Sequence, residues 1–300
     1  MFSFKQLEAI YWIDREGSFA GAAQRLHTTQ AAVSKRVKEL ESIVGEEVFD
    51  RSLRQARFTG KGVQLLQAAQ QLLRERDLVM ESLVKPETMV RRIHIGITEL
   101  VAMTWLPALL SRIHQRYPHV TIEPDVDSGS RLLAKLGDDQ LDLAIIPDAF
   151  AHTGLAVKPL AAVEFAWMCK PGTVASERPL STSALANNKL LTQSDHSGLG
   201  RIVDRWLEEN MVEQINPPVV TNSLLPLIGL TAAGMGISYM PKDCLRPLID
   251  AGQLQLLATI EPGPAVPYVA IFKPQLKSVL VSDICLLAQE CCDFSGMFTA

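Results

Sequence analysis

The sequence predicts an α-helical head joined by one long amphipathic helix to an α/β body of two lobes. Three observations carry this. Residues 17–45 pattern as two short helices on a tight turn, with Arg25, Lys35, Arg36 and Lys38 but no acid between Glu16 and Glu39. From Lys61 to about Pro86, apolar residues return every seven positions. From Arg91 onward, strand-type apolar runs alternate with helix-type spacing, the pattern of a doubly wound sheet.

A first helix is predicted over 3–16, where Phe4, Leu7, Ile10, Tyr11 and Ile13 share one face. The next carries Phe19, Ala22 and Ala23 and ends near Leu26. In the third, Val33, Val37, Leu40 and Val44 fall at i, i+4, i+7 and i+11, and Thr29 stands where an N-cap belongs. Ala22, Ala23, Ala31 and Ala32 let the two helices cross closely, as a helix-turn-helix requires.

The opposite face of the third helix presents Gln30, Ala31, Ser34, Lys35 and Lys38. Gln pairs bidentately with adenine, Ser bonds several bases, Lys reaches guanine or phosphate, and Ala touches a thymine methyl. Clearing acids from such a face suits a polyanion. Gln30, Ala31, Ser34 and Lys35 are assigned to bases. Arg36, Lys38, Arg51 and Arg54 are assigned to phosphate or the minor groove, and Ser18 and Thr29 complete the predicted DNA-binding set. Residues 47–51 and 57–59 flank a basic tip, 52–55, as a two-stranded wing. The competing interpretation is a pair of amphipathic helices with a solvated charged side.

Thr59 caps the long helix. Its columns Leu65, Leu72, Val79 and Leu66, Leu73, Met80, with Ala69 and Leu83, form a seam interrupted by Arg76. The seam serves packing on the protein's own body or pairing with the same helix of a second subunit. Pro86 ends it and opens a short hinge to Val90.

In the body, strands are expected at 93–97, 120–123, 141–146, 163–169, 189–193, 219–221, 236–240 and 268–272. Helices follow Pro107, Ser130, Gly198, Asn222 and Lys277, the last running to Cys291. Open α/β sheets bind ligands beyond the C-terminal strand ends. Four such ends converge on one cleft: Thr98, Glu99 and Leu100; Ser128, Gly129 and Ser130; Gln193, Ser194 and Asp195; Thr221, Asn222 and Ser223. Ile146, Pro147 and Phe150 supply apolar walls, and Asp148 lies beside them. Each polar residue here also suits a helix cap.

Composition excludes several classes. Hydrophobic residues are 47 % and charged residues 21 %, as in a globular protein with a substantial core. The net charge is −4 although the basic residues gather at the N-terminus, so an acidic body carries a DNA-binding head. No signal peptide and no membrane-length apolar run is visible, which predicts a cytoplasmic protein with no membrane partner. Five scattered cysteines, Cys169, Cys244, Cys285, Cys291 and Cys292, read as free thiols. The consecutive Asp195, His196 and Ser197 cannot align as a catalytic relay. Gly234-Met235-Gly236 lacks a third glycine, and the six histidines lack zinc-type spacing. No enzyme, cofactor or metal is expected.

Residues 7–66 resemble LysR-type transcriptional regulators. The resemblance rests on Gly17-Ser18-Phe19, Ala22-Ala23, Leu26, Gln30 to Ser34, Leu40-Glu41, Gly45, Phe49-Asp50-Arg51 and Thr59 to Gly62. Ala31 departs from the proline common there; alanine is a good helix former, so the fold is unaffected. The body resembles the same family through Leu141 to Ile145 and Ala233 to Ile237. The fold class implied is an N-terminal all-α winged helix-turn-helix with a long linker helix, followed by an α/β two-lobed periplasmic-binding-protein-like effector domain. The domains are 1–59 (DNA binding), 60–90 (linker, dimerisation and hinge) and 91–300 (effector binding). Lobe I comprises 91–160 and 267–300, and lobe II comprises 161–266, with crossover strands near residues 160 and 265. The resemblance implies effector contacts at Thr98, Ser128 and Thr221, a homodimer through the linker helix, a homotetramer, and RNA polymerase as a further partner.

Its effectors are often small carboxylates, which helix N-termini favour. Glu99, Asp127, Asp148 and Asp195 on these loops argue instead for an amino acid or amine. The expected protein is a regulator of two-fold DNA sites controlled by a small-molecule effector. Two rivals are a cytosolic solute-binding protein and a DNA-binding regulator controlled by a partner protein.

Overall fold

The computed structural model describes residues 1–50, 56–83, 85, 88–174, 179–274 and 278–297. Arg51 and Arg54 of the expected wing tip, Pro86 of the hinge and Lys277 lie outside the described residues. The chain divides into two compact units, 1–83 and 84–300.

The first unit opens with α1 (Phe4–Glu16), which buries Leu7, Ile10 and Ile13 and stops at Gly17, whose φ of 64° suits a residue without Cβ. In α2 (Phe19–Arg25) the Ser18 hydroxyl accepts the Gly21 N–H at 3.0 Å. In α3 (Gln30–Val44) Thr29 Oγ1 accepts the Ala32 N–H at 3.2 Å, satisfying one orphan donor. Val33, Val37 and Leu40 are buried together against α1 and α2. Among the described residues of the expected wing, Phe49 bridges Phe58 antiparallel, and Asp50 N–H donates to Arg57 O at 2.8 Å. The rings of Phe19, Phe49 and Phe58 stack in sequence at 5.2 and 4.4 Å and anchor it.

Helix α4 (Gly60–Leu83) starts where Thr59 Oγ1 accepts the Gly62 N–H at 3.0 Å. A Cβ on Gly62 would lie 2.1 Å from Val48 O, so the helix can meet the wing only with glycine there. The heptad seam is divided. Ala69 and Leu73 are buried in the core shared with α1 and Leu66 is buried too, whereas Leu72, Val79, Met80 and Leu83 are 40, 59, 52 and 75 % exposed. Arg76 breaks the stripe because it reaches α1: its Nη1 donates to Glu8 Oε1 at 2.6 Å, and its guanidinium lies 5.4 Å from the Phe4 ring centroid.

The second unit begins with β1 (Arg92–Ile97), α5 (Glu99–Met103), α6 (Leu106–Arg116), β2 (Thr121–Val126), α7 (Gly129–Gly137), β3 (Leu143–Pro147) and β4 (Ala156–Val163). It continues with β5 (Phe165–Cys169), α8 (Thr182–Asn187), β6 (Leu191–Gln193), α9 (Gly198–Glu209), β7 (Val219–Thr221), α10 (Leu224–Ala232) and β8 (Ser238–Pro241). It closes with α11 (Arg246–Asp250), β9 (Gln255–Leu256), β10 (Val266–Phe272) and α12 (Val279–Cys291). One sheet has the order β2-β1-β3-β10-β4; β1 runs parallel to β2 and β3, and β10 antiparallel to β3 and β4. This is lobe I. Lobe II holds β8-β5-β9 and β6-β7, linked by a bridge between Leu190 and Ile237.

The expected strand 163–169 is present as β5, but its first residue, Val163, belongs to β4 in the other sheet. β4 ends at Val163 and β5 starts at Phe165, so the chain changes lobe at Glu164. β4 is the crossover strand expected near residue 160, and it contains Pro159. The proline is tolerated because β4 is an edge strand, where a missing N–H costs no ladder bond on the open side. The short α5 was not foreseen.

Sheet I has two covered faces. Ile93, Ile95, Ile97 and Ile145 belong to the large core that extends into lobe II, while Ala144, Ile146 and Val269 pack with Leu132 and Leu136 of α7. At the sheet end away from the cleft, buried Arg91 pairs with Asp142 at 3.3 Å, and Asp142 also accepts the His94 N–H at 2.9 Å.

Candidate functional site

Two candidate surfaces stand out, one in each unit. On α3, Gln30, Ala31, Lys35 and Lys38 are exposed, and Ser34 and Arg36 are half-buried. Lys35 Nζ lies 4.0 Å from Glu39 Oε1, both largely solvated, so the pair restrains the lysine weakly. Ser18 and Thr29 have their hydroxyls engaged as caps of α2 and α3. His27 turns the chain between the helices with φ 48°, a left-handed conformation that histidine tolerates. The result is an exposed helical surface whose stretch from Gln30 to Lys38 carries no carboxylate, with Glu39 at its far end, held from behind by the packed alanines Ala22 and Ala23.

In the second unit a cavity of about 330 Å³ lies between the lobes. The loop after β1 contributes Thr98 and Glu99, and that after β2 contributes Asp127, Ser128 and Gly129. Lobe II supplies Gln193 and Ser194 after β6, and Asn222, Ser223 and Leu224 at the start of α10. The Glu99 carboxylate crosses the cleft: it accepts Ser223 Oγ–H at 2.8 Å and Leu224 N–H at 2.6 Å. Burial opposes the Asp127 charge, but the Ser128 N–H at 2.8 Å, Lys135 at 3.1 Å and Arg131 at 3.6 Å outweigh it and hold the carboxyl below its ordinary range. Tyr268 Oη stands 3.4 Å from Thr98 Oγ1; burial raises its pKa, so it enters the site as a neutral phenol.

The floor is built by close approach. Ser130 N–H donates to His196 O at 3.1 Å, tying α7 to the loop before α9. A Cβ on Gly198 would lie 2.9 Å from Pro147, and one on Gly200 only 2.3 Å from Ser194 O. Arg201 rests 4.8 Å from the Phe150 ring centroid.

Of the residues predicted for effector binding, Thr98, Glu99, Ser128, Gly129, Gln193, Ser194 and Asn222 line this cavity. Four do not. Ser130 spends its N–H on His196; Thr221 Oγ1 donates to Ser223 O at 2.8 Å; Ile146 is fully buried behind the sheet; Asp148 faces His152 Nε2 at 2.7 Å. Arg131, Phe165 and Tyr268 line it without having been foreseen. Tyr268 is placed by the antiparallel register that pairs it with Pro147, information no single segment carries.

Residues 4–63 match the family model described as bacterial regulatory helix-turn-helix protein, lysR family. Residues 87–283 match the one described as LysR substrate binding domain. The chain belongs to the LysR family. The HTH-type transcriptional regulator MetR of Escherichia coli (strain K12) is 30 % identical over 246 residues, covering 80 % of this chain and 75 % of MetR. Among solved structures, ArgP from Mycobacterium tuberculosis shares the fold with a TM-score of 0.68 at 20 % identity, covering 100 % of this chain and 99 % of that one. Full-length CbnR complexed with its target DNA shares it with a TM-score of 0.63 at 17 % identity, covering 97 % and 100 %.

This LysR-family member is therefore a DNA-binding transcriptional regulator with an effector-binding domain, not an enzyme, and it acts in the cytoplasm. Among the described residues no helix is long and apolar enough to cross a membrane, and no group of three His, Cys, Asp or Glu is placed to hold a metal.

Proposed function

We propose that the protein reads a two-fold operator as a homodimer, with α3 of each head in a major groove. Gln30, Ala31, Ser34 and Lys35 contact bases; Arg36 and Lys38, with Arg51 and Arg54 of the wing tip, contact phosphate or the minor groove. The observation that carries this reading is the exposed side of α3 from Gln30 to Lys38, which bears no acid. CbnR, a protein of like fold, was solved on its target DNA.

The exposed column Leu72, Val79, Met80 and Leu83 on α4 supports pairing of two linker helices. Two dimers associate as a tetramer, and RNA polymerase is the further partner at the promoter. A small polar effector, an acid or an amino acid, occupies the inter-lobe cavity, whose size suits such a ligand. It biases lobe closure or subunit packing and so the spacing of the heads.

The test compares Gln30→Ala with Lys38→Ala. Gln30→Ala should lose about 1–3 kcal/mol on the operator and little on random DNA. Lys38→Ala should weaken both and lower the salt slope by about 1. Equal losses on random DNA for both variants would contradict the assignment.

A further inference from the structure

The charge of the cleft is carried by one side chain. Glu99 opens α5 in lobe I, and its carboxylate is held by Ser223 Oγ–H and Leu224 N–H of lobe II. Both donors are neutral, and Glu99 forms no ion pair among the described residues. The start of α10 offsets only about half an elementary charge. The other lining carboxylate, Asp127, is already met by Lys135 and Arg131.

The α10 N-terminus, which would otherwise attract a ligand's anion, is thus occupied by the protein's own carboxylate. A ligand entering here displaces water from Glu99. A second carboxylate at that point would meet like charge, while an ammonium would gain a charge-assisted hydrogen bond. One strand over, the register of Ile97 with Val126 sets Ser128 and Arg131 close by. The Ser128 hydroxyl is shielded from solvent and has no partner among the described residues, and the Arg131 side chain is 67 % exposed. These groups provide for an acid at the opposite end of the same molecule.

We propose that the cleft selects a ligand bearing a protonated amine, which pairs with Glu99, and that Glu99 sets this preference. The proposal rests on the reading of the cleft as the effector site. It also separates two roles in one residue, because glutamine at position 99 can accept the Leu224 N–H with its one oxygen and donate its amide N–H to Ser223 Oγ, but loses the charge.

The experiment uses the full-length protein, thermal melting and calorimetry. The probes are the common L-amino acids, each with its decarboxylated amine and its deaminated acid. At least one amino acid should bind, and its deaminated acid should not. Glu99→Gln should weaken the amine-bearing ligand by about tenfold or more, as expected for loss of a charged hydrogen bond. Binding of the amine alone would show that the cation suffices; binding of the amino acid alone would show that the acid is also used. Ser223→Ala removes a hydrogen bond and not the charge, so it should retain the preference for amines.

A deaminated acid that binds as tightly as its amino acid, or an amine-bearing ligand indifferent to Glu99→Gln, would overturn the proposal and leave the effector site standing. Failure of every probe to bind would overturn both. If Glu99→Gln does not fold, as circular dichroism would reveal, the three ligand forms on the wild-type protein decide alone.

Discussion

The head and the body place function in different ways. In the head, the working surface is one face of one helix: Val33, Val37 and Leu40 turn inward, and the positions between them turn outward. In the body, the site belongs to no element. It is assembled from four strand ends in two sheets and held by bonds such as Glu99 to Leu224 that span more than a hundred residues of chain. A surface set by periodicity tolerates changes at its tips and fails when its packing fails. A site set by register depends on small residues that permit close approach.

That contrast can be tested in order of effect. Leu40→Ala opens a cavity in the small core of the head and should cost about 2–5 kcal/mol. DNA binding should be lost while ligand-induced stabilisation of the body persists, as two melting transitions would show. Gly200→Ala tests the other region. Its Cβ would press on backbone oxygens of Gln193 and Ser194, at a cost of about 1–3 kcal/mol. Ligand stabilisation should vanish while unliganded DNA binding survives. If both variants lose both activities together, the division of labour is refuted.

Smaller effects sharpen it. Val79→Asp places a charge in the exposed α4 column and should shift the monomer–dimer equilibrium tenfold or more in sedimentation, by about 1.4 kcal/mol. An unchanged dimer would remove α4 from the interface. Thr29→Ala deletes a cap and should cost about 1 kcal/mol of head stability in urea unfolding.

The sequence made the head legible because its signals are local. The 3.6-residue period, the cap at Thr29 and the glycine stop at Gly45 all lie within one segment, and α3 runs from Gln30 to Val44 as they require. Helix α9, Gly198–Glu209, was legible for the same reason. The body hid what is not local. β4 was expected only as a crossover near residue 160; its bounds were blurred by Pro159, which its edge position makes harmless. Ile146 follows Ile145 and therefore points to the opposite face of the sheet, away from the cavity. Nearness to a strand end predicted the loops that form the site, but not which of their side chains turn into it. Glu99 stood out as a carboxylate where anions were expected to bind; its bond to the start of α10 gives that oddity a structural cause.

The most direct measurement is the sequencing of DNA fragments retained from a random pool by the full-length protein and by Gln30→Ala. The wild-type protein should enrich a two-fold motif with half-sites about one helical turn apart. Gln30→Ala should retain DNA in which one base position of each half-site is no longer selected. Recovery of the same motif at full strength by both proteins would contradict the claim that the exposed side of α3 reads the duplex.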